Sequence, residues 1–196
     1  MGKGESTKRS ILDTASELAS EVGLQALTIG TLATRTELSK SGLFAHFRSK
    51  EALQLEVLRH ARARFVDIVV KPALAAPRGE TRVRTLFEHW LPWVRGDVLP
   101  GGCVFTTAAT EFDDQPGPVR DQLVADERDL MDSVAQVFRT GIAEGHFHAD
   151  ADPEQFAQDL HGILLAYLHA ERLLRDPLAE HRARTAFERL LDAARR

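Results

Sequence analysis

Apolar residues recur at three- and four-residue steps along most of this chain, which is the spacing of one face of an α-helix. A first run covers residues 7–21 and stops at Gly23, and two shorter runs follow. Further helical runs cover 49–70, 81–95, 103–112, 118–142, 153–174 and 178–194, with a loop predicted at 71–80. No segment alternates in the way of a β-strand, so the pattern predicts an all-α protein.

The two short runs lie between Thr28 and Lys50 and are the most informative part of the chain. Thr28 and Ser39 are good N-cap residues, and each precedes a short apolar stripe. Only residues 35–38 separate the two predicted helices. Two short helices joined so closely are typical of a helix-turn-helix, whose second helix enters the major groove of DNA.

The start of the second short helix carries the residue types that contact with DNA requires. Lys40 and the free N–H groups after Ser39 are donors, while Ser41 and Gly42 are small enough for close approach. Thr28 and Lys50 begin the flanking helices and are placed to bind phosphates on either side.

The run LSKSGLFAHFRSKEAL, with TIGTLA upstream, resembles the tetracycline-repressor (TetR) family of bacterial transcription regulators. The resemblance covers about the first 60 residues, and the rest is similar only in helix layout. It implies that the positions named above contact DNA, with Phe44 and His46 on the exposed side of the recognition helix. An inter-helix hydrogen bond is the alternative role for His46.

Two departures from the family pattern bear on DNA contact. Phe44 stands where most members have a Tyr whose hydroxyl reaches a phosphate, so that hydrogen bond is lost, at a cost of about 1 kcal/mol. Thr36 and Glu37 stand where Ala and Gly are usual. Glu37 would repel phosphate unless it points away or pairs with Arg35 or Lys40.

The sequence predicts two domains. Residues 1–60 form a three-helix DNA-binding head, with residues 1–6 as a loose arm, and residues 61–196 form a helical domain for ligand binding and dimerisation. A long connector helix, 49–70, joins them. Residues 1–50 carry a net charge of +2 and the remainder −6, as suits a protein that meets phosphate at one end.

One head offers too little surface for tight, specific binding, so we expect a homodimer with two heads on a palindromic operator. The resemblance implies that the last two long helices of each chain form the dimer seam as a four-helix bundle. Its expected residues are Leu164, Leu168, Phe187 and Leu191.

The second domain is rich in aromatic residues that are suitable for lining a cavity for an aromatic or amphipathic effector. Core packing is the alternative for each of them. The expected ligand-binding residues are Phe65, Phe87, Trp90, Trp93, Phe105, Phe112, Phe138, His161 and Tyr167. Trp90 and Trp93 are the preferred wall residues because Pro92 and a glycine loop lie beside them.

Metal binding and catalysis are poorly supported. His146, His148, Asp150 and Asp152 have an alternate spacing that could hold a metal, but no second set of ligands accompanies them. No nucleophile motif or phosphate loop is visible, so we predict no enzyme activity, no cofactor and no metal. A helical protein-interaction module and a small helical enzyme are the alternatives to a DNA-binding regulator.

No apolar run approaches the roughly 20 residues that span a bilayer, and the N-terminal residues lack the apolar core of a signal peptide. The single Cys103 also fits a reducing compartment, so we expect a cytoplasmic protein without a membrane partner. The sequence therefore predicts a ligand-responsive repressor, in which a small molecule shifts the connector helix and changes the separation of the two heads.

Overall fold

The computed structural model describes residues 3–196, whose regular elements are all helices, joined by turns and loops, with no strand. Two short π-helical segments, Val66–Val70 and His169–Leu173, interrupt the α-helices. The α-helices are α1 (Lys3–Val22), α2 (Ile29–Thr36), α3 (Lys40–His46), α4 (Lys50–Phe65), α5 (Lys71–Ala75), α6 (Glu80–Arg95), α7 (Val104–Phe112), α8 (Pro118–Ala143), α9 (Pro153–Leu168) and α10 (Ala179–Ala194). The all-α prediction is confirmed. None of the helices within residues 3–196 is both long and apolar enough to cross a membrane.

The helices begin where their capping residues predict. The Thr28 hydroxyl accepts the Thr31 N–H at 3.0 Å, and the Ser39 hydroxyl accepts the Gly42 N–H at 3.1 Å. The Asp152 carboxylate accepts from the first turn of α9, which confirms the predicted start at Pro153. The Gln155 side chain, in the same first turn, donates to Asp159 one turn further along the helix.

Three predicted boundaries differ from the structure. Helix α1 begins at Lys3, so residues 3–6 are not a loose arm, while residues 1–2 of that predicted arm lie outside the described residues. The connector is α-helical only to Phe65 and then continues as the first π-helical segment. The loop predicted at 71–80 is partly helix α5, because Pro72 lies in the first helical turn, where its missing N–H costs no hydrogen bond.

The chain divides into two compact units. The first contains the chain up to Arg64 together with Gly96–Asp126, and the second contains Phe65–Arg95 and Glu127–Arg196. The predicted boundary near residue 60 stays a prediction. Residues 96–126 therefore group with the helix-turn-helix, although they lie far from it in sequence.

The first unit has a small core beneath the helix-turn-helix. Leu32 of α2, Leu43 of α3 and Leu53 of α4 are fully buried, and Phe47 is 1% exposed. Because Phe47 follows α3 directly, its burial fixes the end of that helix against the core.

In the second unit, α6 and α10 pack with Phe87 of α6 stacked on Phe187 of α10, their ring centroids 3.9 Å apart. Ion pairs join the same two helices along their length: Glu80 with Arg195, Arg84 with Glu188, Glu88 with Arg184, and Arg95 with Glu180. Aromatic packing and paired charges thus fix α6 against α10.

Candidate functional site

Helix α3 presents an exposed N-terminal end. The Ser39 cap satisfies the Gly42 N–H, and Lys40, Ser41 and Gly42 are all exposed. On the inner side Leu43 is fully buried, so the helix is anchored by one face and free on the other. This is the geometry that a groove-reading helix needs.

The flanking positions lie at the starts of α2 and α4. Thr28 is half-buried and uses its side chain and its N–H in a reciprocal pair of hydrogen bonds with Thr31. Lys50 is exposed, and its ammonium donates to the Gln25 carbonyl at 2.5 Å. The structure fixes where these groups lie, and their contacts with DNA stay predictions.

Three cations lie in or next to the helix-turn-helix without a carboxylate partner among residues 3–196. They are Lys40, Arg48 and Lys50, and all three are exposed. Arg48 was missed as a candidate contact, although its position between the recognition helix and Lys50 was the signal that could have identified it. A cation left unpaired in the free protein is available to phosphate.

Glu37 occupies the turn between α2 and α3 with a left-handed backbone, φ 56° and ψ 21°. Arg35, one of its two expected partners, pairs instead with Glu21 at 3.5 Å. Within the described chain Glu37 has no ion pair with Lys40 either. Its charge therefore stays uncompensated beside the predicted DNA surface.

The two aromatic positions of α3 differ in exposure. Phe44 is 52% exposed, whereas His46 is half-buried and lies against Phe47 at a centroid distance of 6.2 Å. No inter-helix hydrogen bond to the His46 ring is formed by residues 3–196. An exposed Phe ring on this helix suits apolar contact with a sugar or a thymine methyl.

The predicted effector residues fall into both units. Phe105 and Phe112 belong to the first, and the other seven belong to the second. Phe87 and Phe138 are almost fully buried in stacks of Phe rings, as the core-packing alternative expects. Tyr167 is also buried, at 2% exposed.

Four of these residues, Phe65, Trp90, Trp93 and His161, form what we term the aromatic cluster. Phe65 lies edge-on to both Trp rings, at centroid distances of 5.4 and 5.2 Å, and His161 is 6.2 Å from Trp90. Burial lowers the pKa of His161, which favours its neutral form. The indole N–H of Trp93 is buried and finds no acceptor within residues 3–196.

Three of the four predicted seam residues are buried within the chain: Leu164 at 2%, Phe187 at 1% and Leu191 at 0% exposure. Such residues have almost no surface left for a partner. The same region exposes other leucines, which we term the leucine surface: Leu165, Leu173, Leu174 and Leu178.

Members of the polar cluster at 146–152 make contacts within the fold. Within the part of the chain that the structure describes, no group of three or more His, Cys, Asp or Glu side chains is placed to hold a metal. His146 accepts the Glu80 N–H, and Asp152 caps α9. A depression of about 520 Å³ is lined in part by Glu80, Arg84 and Arg195, whose charges already pair with one another or with Glu188.

Two family models match the sequence. Residues 11–57 match the model described as bacterial regulatory proteins, tetR family, and residues 79–187 match the tetracyclin repressor-like C-terminal domain. The second match alone covers more than half of the chain. No curated protein matches significantly in sequence.

Solved structures share the fold at low sequence identity. A TetR-family transcriptional regulator from Cytophaga hutchinsonii is 16% identical, with a TM-score of 0.87 over 100% of this chain and 98% of that chain. A regulator from Saccharomonospora viridis, solved with choline, is 22% identical, with a TM-score of 0.82 over 98% and 99%. AibR, solved with isovaleryl coenzyme A and operator DNA, is 20% identical, with a TM-score of 0.70 over 91% and 96%.

Proposed function

The chain belongs to the TetR family of DNA-binding transcription regulators, and from this premise we propose that it is a repressor that binds a palindromic operator as a homodimer and is released by a small effector. The observation that carries the proposal is the exposed N-terminal end of α3, flanked by cations that no carboxylate within residues 3–196 neutralises. A regulator of this family needs such an end to enter a major groove.

The proposed DNA surface consists of the predicted contacts together with Arg48. Lys40 and Arg48 bind phosphate, and the N-terminal turn of α3 brings Ser41 and Gly42 to the base edges. Phe44 replaces a polar phosphate contact with an apolar one. Each half of the palindrome receives one head, with the half-sites about 34 Å apart along the DNA axis.

We propose that the leucine surface forms the dimer seam. It runs from α9 through the second π-helical segment to the residue before α10, so it adjoins the helices that the family resemblance implicated but consists of exposed residues. Leu173 is 71% and Leu174 62% exposed, and leaving neighbouring leucines in water is unfavourable. A Leu173→Glu, Leu174→Glu double variant is expected to be monomeric in light scattering, and an unchanged dimer mass would move the seam elsewhere.

The effector is proposed to enter the aromatic cluster. Trp93 offers a buried N–H donor without an acceptor inside residues 3–196, and the rings around it supply apolar contact. An aromatic or amphipathic molecule with one hydrogen-bond acceptor fits that combination. Phe65 is also the last residue of α4, the helix that begins at Lys50, so displacing Phe65 would act on a helix that contacts DNA.

Selection of binding sites from a random duplex library by the wild-type protein tests the DNA-binding proposal. The expected result is an enriched palindrome that two copies of the chain bind together. A library without enrichment at moderate salt would overturn it.

Tryptophan fluorescence tests the effector site, since the only two Trp residues of the chain, Trp90 and Trp93, both lie in the aromatic cluster. Choline and isovaleryl coenzyme A, the ligands of two structural relatives, are suitable first probes. An effector is expected to change the emission and to release the selected duplex. A compound that releases DNA without changing the emission would place its site elsewhere.

A further inference from the structure

The ammonium group of Lys50 is held by the backbone of the turn that joins α1 to α2. Its Nζ atom donates to the Gln25 carbonyl at 2.5 Å. An ammonium group has three donors, so this bond leaves two for a phosphate. The position of Lys50 therefore depends on what fixes Gln25.

Gln25 is fixed by a residue 86 positions later. Its N–H donates to Oε2 of Glu111 at 3.0 Å, and its side-chain Nε2 donates to the Glu111 carbonyl at 2.9 Å. Glu111 lies near the end of α7, in the same compact unit as the helix-turn-helix. Two hydrogen bonds to one residue fix both the place and the orientation of the Gln25 peptide.

Two glycines let the segment that contains Glu111 approach α1 this closely. Gly23 has φ +90°, and a Cβ there would lie 1.9 Å from Oε1 of Glu111. A Cβ on Gly101 would lie 1.7 Å from the Ser20 carbonyl oxygen, and the Gly101 N–H donates to the Ser20 hydroxyl at 2.9 Å. At Gly101 the two backbones therefore meet directly, while at Gly23 the missing side chain leaves room for the Glu111 carboxylate.

We infer that Glu111 is a positioning residue for DNA binding, which acts through Gln25 to hold the Lys50 ammonium where a phosphate can be bound. The inference rests on the proposed DNA-binding function. An ammonium that is already held in place loses less side-chain freedom when phosphate binds, which strengthens the contact.

The sign of the expected effect separates this role from general electrostatics. Removing a carboxylate from a DNA-binding unit reduces repulsion and strengthens binding. Glu111→Ala is instead expected to weaken binding to the selected duplex, by about fivefold for each head, because the Gln25 N–H loses its carboxylate acceptor and Lys50 is held less firmly. The slope of log affinity against log salt should also become shallower.

Asp114→Ala is the matched control, since Asp114 is an exposed acid three positions further on whose side chain has no partner in the described chain. Its affinity should equal or exceed that of the wild type. Glu111→Gln keeps an acceptor for the Gln25 N–H, so it should restore binding to at least the wild-type level. Circular dichroism checks that each variant is folded. If Glu111→Ala is not folded, Gln25→Ala serves instead, since it removes the bond to the Glu111 carbonyl and keeps the stronger bond to the carboxylate, so it should show a smaller loss.

A double-mutant cycle with Lys50→Ala shows whether Glu111 acts through Lys50. In the Lys50→Ala background, Glu111→Ala is expected to cause no further loss. The same loss in both backgrounds, or equal behaviour of Glu111→Ala and Asp114→Ala, would overturn the inference while leaving the proposed function intact. A wild-type protein that selects no duplex would overturn both.

Discussion

Charged side chains serve opposite purposes in the two units. Between α6 and α10 the arginines are paired with carboxylates, as Arg84 is with both Glu80 and Glu188. Around α3, by contrast, Lys40 and Arg48 are exposed and have no carboxylate partner within residues 3–196. Paired charges fix two helices against each other, whereas unpaired ones remain available for a partner that carries the opposite charge.

The paired network is strong enough to move pKa values. Arg195, followed by Arg84, donates hydrogen bonds to the Glu80 carboxylate and lowers its pKa to about 2. The hydrogen bond from Arg84 lowers the pKa of Glu188 as well.

The largest expected effect comes from removing the unpaired cations. The triple variant Lys40→Ala, Arg48→Ala, Lys50→Ala should lose sequence-preferring binding in gel-shift assays, because three phosphate contacts disappear from each head. The protein should stay folded, since none of the three side chains takes part in the buried core. If the folded variant still bound DNA, the unpaired cations around α3 would not be the groups that bind phosphate.

The reverse experiment breaks the paired network. Glu80→Gln should lower the free energy of unfolding by about 1 kcal/mol near pH 7 in urea titrations, with little effect on DNA affinity. Wild-type stability should fall as the pH drops from 4.5 towards 2, because the unfolded state takes up a proton there that folded Glu80 does not. The variant should lack this part of the acid dependence.

Glu144→Gln is the control for Glu80→Gln. Glu144 lies 4.0 Å from Arg78 in an exposed pair, so its loss should change the free energy of unfolding by less than about 0.5 kcal/mol. Equal effects at both positions would mean that the ion pairs between α6 and α10 contribute no more to the free energy of unfolding than an exposed pair does.

Smaller effects than that of Glu80→Gln are expected at the two non-glycine residues with left-handed backbones in the described chain, Glu37 and Arg175. Replacing either with Gly should stabilise the protein by about 0.5–1 kcal/mol in thermal unfolding. Only Glu37→Gly should also raise DNA affinity, because it removes an uncompensated negative charge beside the DNA surface. If Arg175→Gly raised the affinity equally, backbone strain and not charge would be responsible.

The helix-turn-helix could be predicted because its signals are local. Thr28 and Ser39 cap the helices that follow them, and the apolar steps between them are short. The bonds between Gln25 and Glu111 could not be predicted, since 86 positions separate the two residues. In the sequence, Gly23 indicates only the end of a helix and not a close approach of another segment. Nothing local marks a residue whose role is to hold a distant turn.

The second unit shows why periodicity alone cannot distinguish a dimer seam from packing within one chain. Apolar spacing marks Leu164 and Phe187 as facing something, but not whether that partner is another helix of the same chain or a second copy. Both are buried within the chain, whereas Leu173 and Leu174, at the end of the same apolar run, are exposed. Helix α5 was missed because Pro72 in the sequence indicates a loop. Proline breaks the interior of a helix but is tolerated in its first turn.

The salt dependence of binding to the selected duplex, measured by fluorescence anisotropy for Lys40→Ala and Arg189→Ala, tests the central claim most directly. Both residues are exposed cations without a carboxylate partner in the described chain, but Lys40 begins α3, whereas Arg189 lies on α10. We predict that Lys40→Ala reduces the slope of log affinity against log salt by about 0.9 for each head and that Arg189→Ala leaves it unchanged. Equal slopes for the two variants would contradict the account.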